Sequence, residues 1–288
     1  MGQLEGKVAV ITGSTRGLGL AIAQAYVREG AAVVITSRSQ AAVNEAVEML
    51  RQQGARVSGF PIDVAELTQM QALVDHAVQT FGTIDIWVNN AGFGGVYGPT
   101  VLVEPQEFER VLRTNVLGTY YGSITALNYF LTHGRHNKLI NLLGRGDKSP
   151  TPFQIAYGSS KTWVRSFTLA LAKENASNKR HIGIFALNPG LVDTDLLRKV
   201  DVVEGYESQL KNFGTIIRMW ANAPAIPAEK AVWLASSATD DKMGIEIQAL
   251  GFPRIVSGAI GELSRRISRQ PLPDRTPELH IVSPLSPH

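Results

Sequence analysis

The sequence predicts a single α/β domain built on a doubly wound parallel sheet. Short apolar runs alternate with helical segments through most of the 288 residues, and this alternation is typical of βαβ units with helices on both faces of a sheet. The first run, residues 7–12, is continuously apolar after its lysine, as in a strand buried on both faces. No internal repeat or low-complexity linker divides the chain. We therefore expect one domain over residues 1–251 and an extension over 252–288.

The remaining elements follow in a regular order. A helix over 18–28 ends at Gly30, and a helix over 40–53 ends at Gly54, because glycine readily adopts the backbone conformation that terminates a helix. The other predicted strands cover 32–36, 57–62, 84–89, 139–143, 182–187 and 245–249. The other predicted helices cover 67–81, 105–131, 156–174 and 230–236.

Two segments interrupt this alternation. Residues 191–225 follow the sixth strand and mix apolar and charged side chains. An open α/β sheet binds its ligand beyond the carboxyl ends of its strands, so we expect a substrate lid here rather than a purely structural excursion. The extension over 252–288, with five prolines after residue 270, is expected to be an arm or partly disordered.

Composition narrows the possible functions. The absence of cysteine excludes disulfides and cysteine nucleophiles, and it fits a reducing, cytoplasmic location. No apolar stretch is long enough to cross a membrane. A net charge of +3 comes from scattered basic residues, which favours a solvated surface over nucleic-acid binding. His133 and His136 lack partners at metal-ligand spacing, so no metal site is expected.

A glycine-rich turn follows the first strand and opens the first helix. Such a turn bends sharply and lets the backbone approach a pyrophosphate, while the helix N-terminus offers free N–H groups. The sequence therefore predicts a dinucleotide site with contacts from Gly13, Ser14, Thr15, Arg16, Gly17, Leu18 and Gly19.

The end of the second strand indicates which dinucleotide binds. An acidic residue there would bind the ribose 2′-hydroxyl of NAD, whereas a cation accommodates the 2′-phosphate of NADP. The chain has Ser37 and Arg38 there and no carboxylate, and Arg16 in the turn can reach the same phosphate. Two guanidinium groups suit a dianion, so NADP(H) is favoured over NAD(H).

Further cofactor contacts are expected at the ends of the third and fourth strands. Asp63, followed by Val64, can accept a hydrogen bond from the adenine amino group, or it can cap the following helix. Asn89, Ala91 and Gly92 allow close backbone contact with the cofactor. For Asn90 a purely structural turn is a real alternative.

Tyr157 and Lys161 stand four residues apart at the start of a predicted helix, so they share one face. A nearby ammonium group lowers the pKa of a tyrosine, which makes it a proton donor and acceptor near neutral pH.

Together these motifs resemble the short-chain dehydrogenase/reductases over residues 7–251. The resemblance rests on the Gly-rich turn, Asp63, the Asn-Asn-Ala-Gly run at 89–92, Asn115, the Tyr157/Lys161 pair, and Asn188-Pro189-Gly190 with Thr194. It implies a Rossmann domain and hydride transfer between a nicotinamide and a carbonyl or alcohol carbon. Tyr157 would be the acid/base. Lys161 would lower its pKa and bind the nicotinamide ribose, and Asn115 would support a water-linked proton path. Pro189, Gly190, Val192 and Thr194 would face the nicotinamide.

The chain departs from the family pattern at Gly144, where the family has a serine that donates to the substrate oxygen. The substrate or a water can supply that bond, a neighbour such as Arg145, Ser149 or Tyr97 can replace it, or the chemistry differs. Gly144, Arg145, Phe93 and Tyr97 are the expected substrate contacts.

A second departure, Leu250-Gly251-Phe252 in place of Asp-Gly-Gly, makes a homodimer more plausible than the family's tetramer. The leading interpretation is an NADP(H)-dependent carbonyl reductase or alcohol dehydrogenase acting on a medium-sized, partly apolar small molecule. The alternatives are a non-redox isomerase, lyase or cyclase that uses Tyr157, and a catalytically silent NADP-binding regulator.

Overall fold

Seven parallel strands form the largest sheet, in the order β3-β2-β1-β4-β5-β6-β8. A computed structural model describes residues 2–134, 136–177, 181–249 and 275–286, with 260, 262 and 268 in addition. The strands of this sheet are β1 (Val8–Ile11), β2 (Ala32–Ile35), β3 (Val57–Gly59), β4 (Ile86–Asn89), β5 (Lys138–Leu142), β6 (Gly183–Asn188) and β8 (Glu246–Gln248). The predicted doubly wound sheet is confirmed. Its strand order reverses between β1 and β4, so a crevice at their carboxyl ends is the expected ligand site.

Helices cover both faces of the sheet. The helices are α1 (Gly17–Arg28), α2 (Gln40–Gln52), α3 (Leu67–Phe81), α4 (Pro105–Leu112), α5 (Gly118–His133), α6 (Ile155–Glu174), α7 (Asp195–Arg198), α8 (Phe213–Trp220) and α9 (Ala225–Ala235). One apolar core joins the sheet to α1, α2 and α9, and a second joins its other face to α3, α5 and the end of α6. The β1 and β2 strands are buried throughout, which agrees with their continuously apolar sequences.

Three predicted elements differ from the structure by more than a small shift of their limits. β3 ends at Gly59 rather than 62, since Pro61 lacks the N–H group that regular pairing needs. The last predicted helix, 230–236, begins earlier, at Ala225, because the prolines around its first turn need no intrahelical partner there. The predicted helix over 105–131 contains a single π-turn, Arg113–Leu117, between α4 and α5.

The 191–225 segment contains α7, strand β7 (Lys199–Val203) and α8. Part of the C-terminal extension pairs with it, because strand β9 (Glu278–Val282) lies parallel to β7 over all five residues. Beyond β9, the Leu285 N–H donates to the Leu102 carbonyl at 2.9 Å. Residues 275–286 therefore form an arm that ties the 191–225 segment, called the lid below after its expected role, to the loop after β4. The Leu250–Phe252 departure lies outside the described residues.

Candidate active site

The glycine turn has the geometry that a dinucleotide requires. Gly13 and Gly17 have φ values of 62° and 58°, which side chains disfavour. A Cβ at Gly13 would come 2.9 Å from the Ala91 Cα. The Ser14 side chain is buried, donating to the Ile11 carbonyl at 2.6 Å and accepting from the Thr36 N–H. Ser14 thus fixes the turn to the strands and leaves backbone atoms to meet a ligand.

The two arginines expected to bind a 2′-phosphate are both exposed. Arg16 is the residue before α1, and its Nη1 lies 3.6 Å from Asp195 Oδ2 in the lid. Both side chains of this pair are more than half exposed, so the pair contributes little free energy and is readily exchanged for another anion. Arg38 is exposed just beyond β2 and makes no ion pair within the described part of the chain.

Two of the side chains that follow β3 and β4, Asp63 and Asn90, make local hydrogen bonds within the chain. Asp63 Oδ1 accepts from the Ala65 N–H at 2.9 Å, a local turn contact like the capping alternative, although α3 itself begins later. Asn90 Nδ2 donates to the carbonyls of Thr12 and Gly13, which supports its structural role.

The Asn89 side chain bonds to neighbouring elements, while the expected cofactor contact is with its backbone. It is buried and donates to Asn141 Oδ1 at 2.8 Å and to Ser123 Oγ at 3.1 Å. These bonds direct the amide into the interior between β4, β5 and α5, so only the backbone of Asn89 remains for the crevice.

Tyr157 and Lys161 share one face of α6, but Lys161 does not bond to the tyrosine. Its Nζ donates to the Leu142 carbonyl at 3.0 Å and lies 5.8 Å from the Tyr157 ring centroid. Burial lowers the pKa of Lys161 to about 8, with the Asp147 carboxylate opposing the shift. Burial, aided by Asp147, raises the pKa of Tyr157 to about 12. Lys161 is not among the causes of the Tyr157 shift, and burial moves the pKa in the direction opposite to the one expected from the spacing.

Asn115 lies in the π-turn and links three elements. Its Oδ1 accepts from the Phe93 N–H at 2.8 Å, and its Nδ2 donates to the Phe93 carbonyl and to Ser160 Oγ, each at 3.0 Å. A Cβ at Gly92 would lie 3.7 Å from Asn115 Oδ1 and 3.8 Å from Lys161 Nζ. The structure thus brings Gly92, Asn115 and Lys161 together, and π-turns of this kind are frequent at functional sites.

The space that a serine side chain would fill at position 144 is already occupied. A Cβ built on Gly144 would overlap the Tyr157 hydroxyl oxygen, so the tyrosine itself occupies that volume. Arg145 and Ser149 are exposed. Burial raises the pKa of Tyr97, and the Arg145 guanidinium opposes this.

The residues expected at the nicotinamide end directly follow β6 and include the first residues of the 191–225 segment. Asn188 Oδ1 accepts from the Gly190 N–H at 2.9 Å, and Val192 forms a bridge with Asn222. A Cβ at Gly17 would lie 3.4 Å from Thr194 Cγ2, so the start of the lid reaches the glycine turn.

Aromatic side chains cluster around two of the expected substrate contacts, Phe93 and Tyr97. Tyr97 stacks on Phe153 with ring centroids 5.5 Å apart, and Phe153 contacts Tyr206 of the lid at 6.0 Å. Phe93 instead packs beneath Arg110, whose guanidinium carbon lies 4.1 Å from the ring centroid. A mainly apolar cavity of about 300 Å³ lies nearby, lined in part by Gly95, Val96, Phe108, Phe153, Ala156 and Leu285.

Several of these residues were not identified from the sequence. Phe153, Tyr206 and Leu285 carry no motif, and their roles depend on loop and arm geometry. Asp147 is buried beside Tyr157 and Lys161, and its position three residues after Gly144 is the only signal it offered. Within the described residues there is no cluster of side chains suited to a metal ion, and no helix is long and apolar enough to span a bilayer.

Comparison with known proteins gives a consistent result. The sequence profile described as short chain dehydrogenase matches residues 7–204. Glucose 1-dehydrogenase 2 of Bacillus subtilis strain 168 is 32% identical over 235 residues, which is 81% of this chain and 89% of that protein.

Two solved structures share the fold. The 3-ketoacyl-(acyl-carrier-protein) reductase from Brucella melitensis, complexed with NADH, has a TM-score of 0.74 and 32% identity over 85% of this chain and 98% of its own. The gluconate 5-dehydrogenase from Burkholderia cenocepacia J2315, in complex with NADP and tartrate, has a TM-score of 0.75 and 25% identity over 88% and 96%. The profile match, these similarities and the geometry of the site establish that the chain belongs to the short-chain dehydrogenase family.

Proposed function

We propose that this protein is an NADP(H)-dependent oxidoreductase that interconverts a carbonyl and an alcohol on a medium-sized, partly apolar substrate. The observation that carries the proposal is the convergence of Tyr157, Lys161, Asn115 and Gly92 at the carboxyl ends of β4 and β5. This convergence lies beside the switch point of the sheet, where a doubly wound fold binds its ligand.

Residues of this chain are suited to hold the cofactor along its whole length. The backbone of the 13–19 turn and the N-terminus of α1 fit a pyrophosphate. The segment 189–194 would meet the nicotinamide end, and Tyr157 and Lys161 would hold the adjoining ribose. When bound, NADPH supplies the hydride.

The preference for NADP(H) rests on charge. The end of β2 carries Arg38 and no carboxylate, and the ion pair that Arg16 makes with Asp195 is exposed. Because that pair is weak, Arg16 can exchange Asp195 for a 2′-phosphate at little cost. The two solved relatives contain NADH and NADP respectively, so they support a nicotinamide cofactor without deciding between the two.

The proposed proton transfer uses Tyr157. In carbonyl reduction the Tyr157 O–H donates its proton to the substrate oxygen as negative charge develops there, and the Lys161 ammonium stabilises the phenolate that remains. Asn115 holds the Phe93 backbone and Ser160 in place around this pair. Because Gly144 brings no hydroxyl, Tyr157 is the principal donor to the substrate oxygen.

The substrate class follows from the cavity and the aromatic contacts. A volume of about 300 Å³ with mainly apolar lining suits a molecule of moderate size that has one polar reacting group. The stacked rings of Tyr97 and Phe153 beneath Tyr206 favour an apolar or planar portion beside the carbonyl.

A homodimer is the proposed assembly, formed through α5 and α6. Trp163 and Phe167 stack at 4.8 Å, and Tyr120 packs edge-on against Phe167. Trp163 and Tyr120 are each more than one-third exposed in the single chain. Exposed aromatic clusters of this kind are characteristic of interfaces.

A cytoplasmic location is proposed from the absence of cysteine.

The test is NADPH oxidation across a panel of aldehydes and ketones, with Tyr157→Phe as the comparison. We expect turnover by the natural protein, a loss of about 10²–10⁴-fold in kcat for Tyr157→Phe, and nearly unchanged NADPH binding by fluorescence. Full activity in Tyr157→Phe would contradict the assignment of the acid. NADPH binding without turnover on any substrate would instead favour a regulatory protein, and product formed without NADPH oxidation would favour a non-redox enzyme.

A further inference from the structure

A buried carboxylate lies at the centre of the site without a place in the mechanism above. Asp147 is only 7% exposed. Its Oδ2 accepts a hydrogen bond from Asn188 Nδ2 at 2.9 Å, and its N–H donates to the Gly144 carbonyl at 3.3 Å. Asp147 therefore joins the loop that follows β5 to the last residue of β6, at the same edge of the sheet as Tyr157.

The loop that carries Asp147 is fixed against the first turns of α6. The Thr162 hydroxyl donates to the Gly146 carbonyl at 2.6 Å. Gly146 has a φ of 97°, and a Cβ there would be 2.5 Å from the Gly158 Cα. Such a close approach, together with a backbone conformation that favours glycine, holds the Asp147 loop in one place. Gly144, whose carbonyl accepts from the Asp147 N–H, lies against the Tyr157 hydroxyl, and a Cβ there would be 3.5 Å from Lys161 Cε.

Asp147 acts electrostatically on both groups of the pair. Its charge adds to burial in raising the pKa of Tyr157, and it opposes burial at Lys161, whose pKa is lowered to about 8. No other charged side chain of the described residues contributes to the Lys161 shift. The groups around its Nζ are the Leu142 carbonyl and the Tyr157 ring, with Gly92 and Asn115 adjacent.

Other nearby charges face elsewhere. Lys148 and Arg165 both pair with Glu246. Arg145 is exposed and acts on Tyr97. A buried ammonium group without an opposite charge loses its proton readily. Among the described carboxylates, Asp147 is the one that opposes this loss at Lys161.

We propose that Asp147 is a positioning residue that acts as the counter-ion of Lys161 and keeps the ammonium charged beside Tyr157. The inference rests on the proposed function, in which Tyr157 gives its proton to the substrate oxygen. Asp147 transfers no proton itself. It stabilises the charge on Lys161 that in turn stabilises the Tyr157 phenolate.

The test is Asp147→Asn, which preserves an acceptor for Asn188 and removes the charge. Carbonyl reduction needs protonated Tyr157 and charged Lys161, and loss of a nearby negative charge makes both groups release protons more readily. We expect the high-pH limb of the profile of kcat against pH to move to lower pH by about 0.5 unit or more. Asp147→Glu should keep the limb of the natural protein. Asp75→Asn, which removes an exposed carboxylate from α3, controls for net charge.

A second measurement does not depend on turnover. The phenolate absorbance of Tyr157 is obtained as the difference between matched proteins with Tyr and Phe at position 157. In the Asp147→Asn background this absorbance should begin to rise at lower pH than in the natural background. A folded, NADPH-binding Asp147→Asn protein with an unmoved limb and an unmoved phenolate titration would overturn the inference, even if its kcat were reduced. Absence of turnover in the natural protein would instead count against the proposed function and leave the phenolate titration as the deciding measurement.

Discussion

The Tyr157 hydroxyl lies against Gly144, in the volume that a side chain at position 144 would fill. The proposed catalytic acid therefore occupies the place where the resemblance puts a serine side chain. This relationship makes Gly144 a determinant of where Tyr157 can place its proton.

Substitution of Gly144 tests this relationship. Gly144→Ala should lower kcat by about 10–10²-fold, because a methyl group displaces the hydroxyl and small displacements of reacting groups are costly. Gly144→Ser causes the same displacement but adds a donor, and one donor to a developing oxyanion contributes about 10²–10³ in rate. The serine variant should therefore be faster than the alanine variant on every carbonyl. Equal or greater activity in Gly144→Ala than in the natural protein would contradict the account.

Lys161 should make the stability of the protein depend on pH. Its pKa falls from 10.5 in the unfolded chain to about 8 in the native state, so below pH 8 the native protein holds a charged lysine in a desolvated place. This penalty, of the order of 1–3 kcal/mol, is relieved as the pH rises from 8 towards 10.5, where the unfolded state binds more protons. The free energy of unfolding of Lys161→Met should thus exceed that of the natural protein at pH 7. The difference should be smaller at pH 9.5. Urea titrations at both pH values measure the difference, and a gap that does not change with pH would argue against a buried, partly discharged lysine.

Arg38 should decide cofactor preference. We expect Arg38→Gln to weaken NADPH binding by about 10-fold or more and to leave NADH binding nearly unchanged, because a charge-assisted contact to the 2′-phosphate contributes about 1.5–3 kcal/mol. Arg28→Gln is the matched control, since Arg28 lies on α1 and pairs with Glu229. Equal losses for NADPH and NADH would show that Arg38 does not bind the 2′-phosphate.

The arm can be cross-linked to the lid at a defined register. Asp201 and His280 are partners across β7 and β9, and their side chains approach to 3.6 Å. Paired strands bring opposite Cα atoms to within disulfide range, and the chain has no cysteine of its own. Asp201→Cys with His280→Cys should form a disulfide on oxidation and raise Tm reversibly. Asp201→Cys with Leu279→Cys, one residue out of register, should not. Efficient bridging in the second protein alone would contradict the pairing.

Much of the fold could be predicted from the chain because its local patterns agree with its topology. Continuous apolar strands and glycine-terminated helices predict the parallel sheet, and the four-residue spacing of Tyr157 and Lys161 places them on one face of α6. The π-turn around Asn115 could not be predicted, because Arg113–Leu117 contains neither proline nor glycine to mark an irregular turn.

The remaining gaps concern side-chain direction and distant pairing. Asn89 ends a strand at the crevice, but the sequence does not indicate which neighbour its amide binds, and in the structure that neighbour is Asn141. β9 has no strong strand signal, and its partner β7 lies far away in the chain. The spacing of Tyr157 and Lys161 predicts a lowered pKa for the tyrosine. In the structure, burial and the Asp147 carboxylate raise that pKa instead.

The central claim, that Tyr157 serves a hydride-transfer reaction, is tested most directly with NADPH deuterated at the transferable position of the nicotinamide. Product is analysed by mass spectrometry after single turnover with a carbonyl substrate found in the panel. The account predicts one deuterium on the new carbinol carbon, one NADPH oxidised for each product formed, and neither result with Tyr157→Phe. Product that contains no deuterium, formed while NADPH remains intact, would contradict it.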